Sequence, residues 1–172
     1  MDSPLYFGSL KNTPLGDLWV AVSENGLAAI EWDDDRSAFD AYLTKRMKRP
    51  ALPDSKRTAL TLRQLDEYLR GKRKIFNLPI DWSLLRPFQR EVLQITFAIP
   101  CGETRAYSDI ARQMGRPRAA RAVGRAEATN PMPLVIPCHR VIGADGKLHG
   151  YGGGEGLKTK EWLLKMEGAV IA

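Results

Sequence analysis

Short apolar stretches separated by turn residues lead the chain, and longer stretches with helical spacing follow. Residues 4–10 (PLYFGSL), 17–22 (DLWVAV) and 27–32 (LAAIEW) read as strands. The last two flank Ser23-Glu24-Asn25-Gly26, where the Asn-Gly pair marks a hairpin turn because both residues tolerate positive φ. An acidic loop, Asp33-Asp34-Asp35, follows. Residues 36–48 and 56–70 read as helices, separated by Pro50 and Pro53, with Gly71 as C-cap of the second. The segment from Gly71 to Arg86 is basic, then extended, and reads as a boundary. Beyond it, Pro87 opens a helix running to Ala98, and Pro100-Cys101-Gly102 breaks the chain. Residues 107–114 (YSDIARQM) predict a short helix with Ser108 as cap, Gly115-Arg116-Pro117 a turn, and residues 118–127 (RAARAVGRAE) a second helix. Helix, short Gly-containing turn, helix is the helix-turn-helix pattern. The rigid turn Asn130-Pro131-Met132-Pro133 leads into Leu134-Val135-Ile136, which reads as a short buried strand, and a last helix runs from Leu157 to Glu167. The expected class is α+β. Residues 1–85 form a small antiparallel sheet with helices, and residues 86–172 a mostly helical domain carrying the helix-turn-helix.

The second helix of that pair has two distinct faces. Arg118, Arg121 and Arg125 share one; Ala119, Val123 and Ala126 share another that packs inward. Ala122 and Gly124 flank the arginines with almost no bulk, so the face can approach a phosphate backbone closely. A solvated arginine face beside a tight helix crossing fits the same pattern.

Charge sharpens this picture. The chain has 172 residues, 44% of them hydrophobic, enough for one sizeable core or two small ones. Of its net charge of +6, residues 1–85 carry 13 Lys/Arg against 12 Asp/Glu, a net of +1, and residues 86–172 carry 13 against 8, a net of +5. That asymmetry suits a polyanionic partner for the C-terminal half. No apolar run is long enough to span a bilayer. The stretch Met1 to Leu10 carries Asp2 and no basic region, so it does not read as a signal peptide. Without an export signal and with two cysteines, the expected compartment is the reducing cytoplasm, and a Cys101–Cys138 disulfide is not expected. Cys101, Cys138, His139 and His149 have no paired spacing of the kind zinc sites use, so no metal is expected.

The candidate chemistry centres on Pro137-Cys138-His139-Arg140. A Cys at the end of an apolar strand, after a proline, is held in one place. The adjacent His and Arg raise the local positive potential and favour thiolate. His139 neighbours Cys138 in sequence, so it is better placed to act through a bridging water than by direct contact. A buried, inert Cys with a satisfied His is the competing reading. Glu167, in the last turn of the final helix, opposes the helix dipole and is easier to explain if paired with a cation such as His139. The Gly150–Gly156 loop can admit a substrate close to the backbone, move as a lid, or serve as a plain surface loop.

These residues carry a resemblance. The run Asn130-Pro-Met-Pro-Leu-Val-Ile-Pro-Cys-His-Arg-Val-Ile142 resembles the active-site signature of the O6-alkylguanine-DNA alkyltransferases. The match extends through Gly102-Glu-Thr-Arg-Ala-Tyr107, Arg118-Ala-Ala-Arg121-Ala-Val-Gly124 and Lys160-Glu-Trp-Leu-Leu-Lys-Met-Glu167-Gly. It covers residues 86–168, and the N-terminal half fits the family's variable domain only loosely. The resemblance implies DNA repair by stoichiometric transfer of an alkyl group from O6-alkylguanine in double-stranded DNA to Cys138. O4-alkylthymine is a second candidate lesion. The expected protein works as a monomer, without cofactor or membrane.

By the same resemblance, His139, through a water, and Glu167 form the relay that makes the thiolate, and Asn130 holds the turn beside the site. Tyr107 assists nucleotide rotation and donates a proton to the departing guanine. Arg121 enters the duplex, with Arg118, Arg125, Ala122 and Gly124 on the DNA-facing side. Pro133, Val141, Tyr151, Gly152 and Gly153 line the base pocket. The chain departs from many members in a longer Tyr151–Leu157 loop, with an extra Glu-Gly, and in lacking the N-terminal zinc ligands that some members carry. Two rival readings remain at this level: a Cys-His-Glu hydrolase, and a non-catalytic DNA-binding module with a structural Cys138.

Overall fold

The computed structural model describes residues 3–32 and 35–171, so Asp33 and Asp34 of the acidic loop lie outside the described residues. Strands β1 (Leu5–Thr13), β2 (Gly16–Ser23) and β3 (Gly26–Trp32) form an antiparallel meander, with Tyr6 opposite Val22 and Val20 opposite Ile30. The sheet's core side carries Leu5, Phe7, Trp19, Ala21 and Ala29, which pack with Phe39 and Leu43 of helix α1 (Arg36–Met47). The Trp19 and Phe39 rings stack at 5.8 Å. Such apolar faces drive association because they leave water together. Helix α2 (Ser55–Leu69) packs against β1 and β2. Asp54 caps it, accepting from Lys56 N and Arg57 N at 3.0 and 2.9 Å. At its far end Gly71 takes φ +74° while Lys72 N reaches back to Glu67 O, the Schellman closure that a glycine permits.

Two features of this first unit, Met1–Leu84, depart from expectation. A fourth strand, β4 (Ala51–Pro53), pairs parallel with β1 and gives the order β3-β2-β1-β4. Three residues ending in a proline carry too little alternation to announce a strand, and β4 is an edge strand where a proline is tolerated. In the β2–β3 hairpin only Gly26 takes a positive φ, +132°, while Asn25 does not. Glu24 and Asn25 make the turn. Gly26 is required for a second reason: Leu27 bonds to the 79–81 segment through Leu27 N to Pro79 O, 2.9 Å, and Asp81 N to Leu27 O, 3.0 Å. That segment covers part of the free edge of β3.

The second unit, Leu85–Ala172, is mostly helical. Helix α3 (Pro87–Phe97) starts with its proline in the first turn. Helices α4 (Tyr107–Gln113) and α5 (Ala120–Ala128) pack on it and on each other. A two-residue parallel pair, β5 (Arg105–Ala106) with β6 (Val141–Ile142), precedes the last helix, α6 (Leu157–Met166). Ser108 is not the α4 cap. Asp109 instead reaches back to Ala106 N at 2.9 Å. Helix α5 begins at Ala120, so residues 114–119 connect the two helices and Arg118 lies in the connection.

Leu134–Ile136 is not a strand. It is a buried turn in which Leu134 takes φ +75° and Ile136 N bonds to Met132 O at 2.9 Å. Pro131, Pro133 and Pro137 cannot donate to a ladder, so the apolar run folds back on itself rather than pairing. A Cβ at Gly26 would meet the Pro79 carbonyl carbon and oxygen at 2.5 Å. Gly26→Ala is therefore expected to cost about 2 kcal/mol or more from strain and clash combined. Urea unfolding checks this: an unchanged midpoint would show that the hairpin yields without cost.

Candidate functional site

Asn130 organises the turn that carries the thiol. Its Oδ1 accepts from Met132 N and its Nδ2 donates to Ile136 O, both at 2.9 Å, so one side chain clamps both ends of the Pro-rich loop. The chain then winds into a 3₁₀ turn, Cys138–Arg140, closed by Arg140 N to Pro137 O at 2.9 Å. Cys138 is thus presented by a tight helical turn rather than by a strand end. Residues one apart in such a turn point in different directions. The His139 ring hydrogen-bonds through Nε2 to Glu167, not to Cys138.

Glu167 is the C-cap residue of α6, and its side chain is buried. Besides the His139 ring it accepts from Arg140 Nε at 3.1 Å on Oε1 and 2.8 Å on Oε2, while Arg140 Nη1 donates to Ile99 O at 2.6 Å. Burial alone would raise the Glu167 pKa. The His139 hydrogen bond, together with the charge and hydrogen bonds of Arg140, prevails and holds it below the usual carboxylate range. For His139 burial is the largest influence; it lowers the pKa, assisted by the Arg140 and Lys160 charges, against the pull of Glu167. The cluster therefore stands as an ionised Glu167–Arg140 pair with a neutral imidazole.

Cys138 lies on the wall of an open cavity of about 690 Å³ whose lining includes Tyr107, Arg121, Gly124, Glu127, Tyr151 and Gly152. The lining is mostly apolar. Gly124 packs beside Tyr107, whose ring would lie 3.9 Å from a Cβ placed there. The expectation of a standing thiolate is not met. Burial pushes the Cys138 thiol up to about 12, the nearby Glu127 adds to the shift, and the Asn130 hydrogen bond only partly offsets it. The positive potential expected from Arg140 is absent because Glu167 neutralises it.

Of the remaining predicted positions, Arg118, Arg121 and Arg125 are exposed. Among the described residues no carboxylate lies within ion-pairing distance of them; the surface ion pairs of this unit involve Arg105, Arg112, His149 and Lys165. Arg121 also lines the cavity, as do Tyr151 and Gly152. Ala122 is half-buried on α5 and lies outside the lining. Pro133, Val141 and Gly153 are buried and are not part of the cavity wall; Val141 pairs with Arg105.

Two residues that sequence reasoning left without a role belong to the site. Lys160 is fully buried, its Nζ donating to Val141 O at 2.7 Å and His149 O at 2.8 Å and lying 3.4 Å from the Tyr107 hydroxyl. Glu127 is buried on the cavity wall. Helical spacing signals both. Lys160 and Glu167 share a stripe with Leu163 and Leu164, and Glu127 lies one turn after Val123.

A thiol at the wall of an open apolar cavity, with uncompensated arginines on the adjoining helix, has the make-up of a protein that joins a cysteine nucleophile to a cationic surface. Comparison gives the particular family. The model described as 6-O-methylguanine DNA methyltransferase, ribonuclease-like domain, matches residues 5–82, and that described as 6-O-methylguanine DNA methyltransferase, DNA binding domain, matches residues 87–169. The methylated-DNA–protein-cysteine methyltransferase of Salmonella typhimurium is 41% identical over 92% of this chain and 94% of its own. The constitutive one of Bacillus subtilis is 39% identical over 90% and 91%. The structure of Mycobacterium tuberculosis OGT in complex with DNA superposes with a TM-score of 0.78 at 36% identity, covering 95% of this chain and 92% of that one. The chain belongs to the 6-O-methylguanine DNA methyltransferase family.

Removing the Glu167 charge would strand Arg140 in the interior. Glu167→Gln is accordingly expected to cost about 3–5 kcal/mol of stability, the usual effect of breaking a buried ion pair from one side. Chemical denaturation at neutral pH measures it; a loss within experimental error would mean that Arg140 finds another partner.

Proposed function

We propose that the chain repairs DNA by moving an alkyl group from O6 of guanine in a duplex to Cys138, once per molecule. The observation that carries this reading is the buried Cys138 thiol facing an apolar cavity large enough for a nucleobase, in a chain belonging to this family. Double-stranded DNA with an alkylated base is the partner, met by a monomer in the reducing cytoplasm. Arg118, Arg121 and Arg125 supply cations toward phosphates, and Arg121, at the cavity wall, fills the space the extruded nucleotide leaves. Tyr151 and Gly152 line the base pocket.

In the chemical step the S–H proton passes through a water to the neutral His139 ring. Glu167 holds that ring and stabilises its charged form. Sulfur attacks the alkyl carbon, the C–O6 bond breaks, and the departing guanine takes a proton from Tyr107. Burial is the main cause that holds the Tyr107 hydroxyl up at about 12, so it keeps its proton until a strong base forms beside it. The Lys160 ammonium, 3.4 Å away, offsets the resulting tyrosinate charge. The thioether has no group placed to cleave it, so the reaction ends there. The relatives lend no support to a hydrolase.

Incubation with a duplex containing O6-methylguanine is expected to raise the intact mass by about 14 Da, S–CH3 replacing S–H, with peptide mapping placing the methyl on Cys138. Modification confined to Cys101, or repeated turnover, would overturn the reading. Arg121→Ala is expected to slow repair of the duplex lesion at least tenfold more than reaction with free O6-benzylguanine, since about 1.4 kcal/mol of lost extrusion energy is tenfold in rate. Equal losses on the two substrates would place Arg121 in the pocket or in folding.

A further inference from the structure

Glu127 is out of keeping with its surroundings. It is 6% exposed, on the wall of the cavity that holds Cys138, and its neighbours there are mostly apolar. Its Oε1 meets only the Thr96 hydroxyl of α3, and its Oε2 has no hydrogen-bond partner. Among the described residues no Lys, Arg or His forms an ion pair with it. Lys160 of α6, the nearest cation in its field, gives its Nζ protons to two backbone carbonyls. The other titratable groups facing it are Tyr107 of α4 and Cys138 of the 3₁₀ turn, both of which become anions when they ionise.

The hydrogen bonds at Thr96 show how little an ionised carboxyl would find there. Thr96 Oγ1 has one proton to give and lies 3.1 Å from Val92 O, the usual back-bond of a threonine within a helix. That single proton is shared between the Val92 carbonyl and Glu127 Oε1, so Thr96 offers the carboxyl at most one hydrogen bond. An ionised Glu127 would be a buried charge with neither cation nor second hydrogen bond, the costliest state a carboxyl can occupy in a protein.

We propose that Glu127 is held as a neutral acid beside Cys138 and that its ionisation brakes the thiol, making it a positioning residue that sets the upper pH limit of Cys138 reactivity. The sign follows from the charges. While Glu127 is neutral, forming the Cys138 thiolate places one anion in the cavity wall. Once Glu127 ionises, the same step must create a second anion close to the first, and the two titrations couple. Burial, opposed by the Thr96 hydrogen bond, raises Glu127 from 4.5 to about 8, so the brake engages as pH rises through about 8 and is released below it. In an ordinary cysteine protein, by contrast, reactivity climbs steadily through this range as thiolate accumulates.

The inference rests on Cys138 as the working thiol, yet a probe that requires no alkylated DNA tests it. Iodoacetamide labelling of Cys138, followed by peptide mapping from pH 6.5 to 9.5, is compared between wild type and Glu127→Gln. The ratio of variant to wild-type rate is expected to rise about tenfold across that range, the effect of one pK unit of coupling. Parallel profiles would overturn the proposal.

Carbon NMR of the wild-type protein labelled at glutamate carboxyls supplies a second measurement that needs no variant. One carboxyl titrating near pH 8 supports the neutral acid; all of them titrating in the ordinary carboxylate range overturns it. Failure of methyl transfer from DNA would count against the repair reading alone, because neither measurement depends on it.

Discussion

Two polar residues follow Cys138 directly, and both are buried. A guanidinium taken out of water costs several kcal/mol unless a counter-charge comes with it, and Glu167 is that counter-charge. Three separate parts of the chain meet there: the 3₁₀ turn through His139 and Arg140, the end of α6 through Glu167, and the end of α3 through the Ile99 carbonyl. A carboxylate at a helix C-terminus is opposed by the helix dipole, worth roughly 0.3–1 kcal/mol. The buried pair outweighs that opposition several-fold. Cys138 sits one residue from the junction, so the position of the thiol depends on it and on the Asn130 clamp from the other side.

The same pair decides the protonation states. Had Glu167 faced His139 alone, its charge would favour an imidazolium, which cannot accept a proton. Burial of the ring is the largest influence against that charge, and Arg140 adds its own repulsion, so the ring stays neutral. A neutral ring beside a neutral thiol is a poised proton-transfer pair, and thiolate forms only as the ring takes up charge. Burial of Cys138 thus suppresses stray chemistry at the thiol, and in the proposed reaction His139 supplies the route by which that suppression is lifted. Glu127 belongs to the same economy of charge: the cavity wall tolerates one anion, and a neutral acid leaves that place to sulfur.

Much of this was legible in the residues. The first three strands, the Gly71 closure and the helix limits, apart from the start of α5, followed from apolar spacing and turn chemistry, whereas Cys138, His139 and Glu167 were singled out by the family resemblance. What escaped was set by tertiary competition. Leu134-Val135-Ile136 has strand-like composition, but its flanking prolines and the Asn130 side chain claim the backbone groups a ladder would need. The expected thiolate failed because sequence proximity to His139 and Arg140 does not report burial, which pushes the thiol up to about 12. Lys160 and Glu127 escaped notice because charged residues are read as surface by default, although their helical registers place both on inward faces.

The arginines around α5 bring part of a modest net charge to the cavity. Of the cations in the C-terminal half, Arg140 and Lys160 are buried against internal partners. Arg105, Arg112 and Lys165 have carboxylates within 4 Å. Among the described residues Arg118, Arg121 and Arg125 have none, and Arg121 stands on the cavity wall itself. Arg86, Arg116, Lys147 and Lys158 are likewise exposed without an ion pair, so part of the uncompensated charge lies at the cavity mouth and part is spread over the surface. Uncompensated cations of this kind raise the encounter rate with a polyanion without recognising any base. Attraction to phosphate and recognition of a lesion thereby fall to different atoms. In the proposed reaction the exposed guanidiniums bring any duplex to the site, and only a base that can leave its stack and fit the apolar cavity reaches the sulfur.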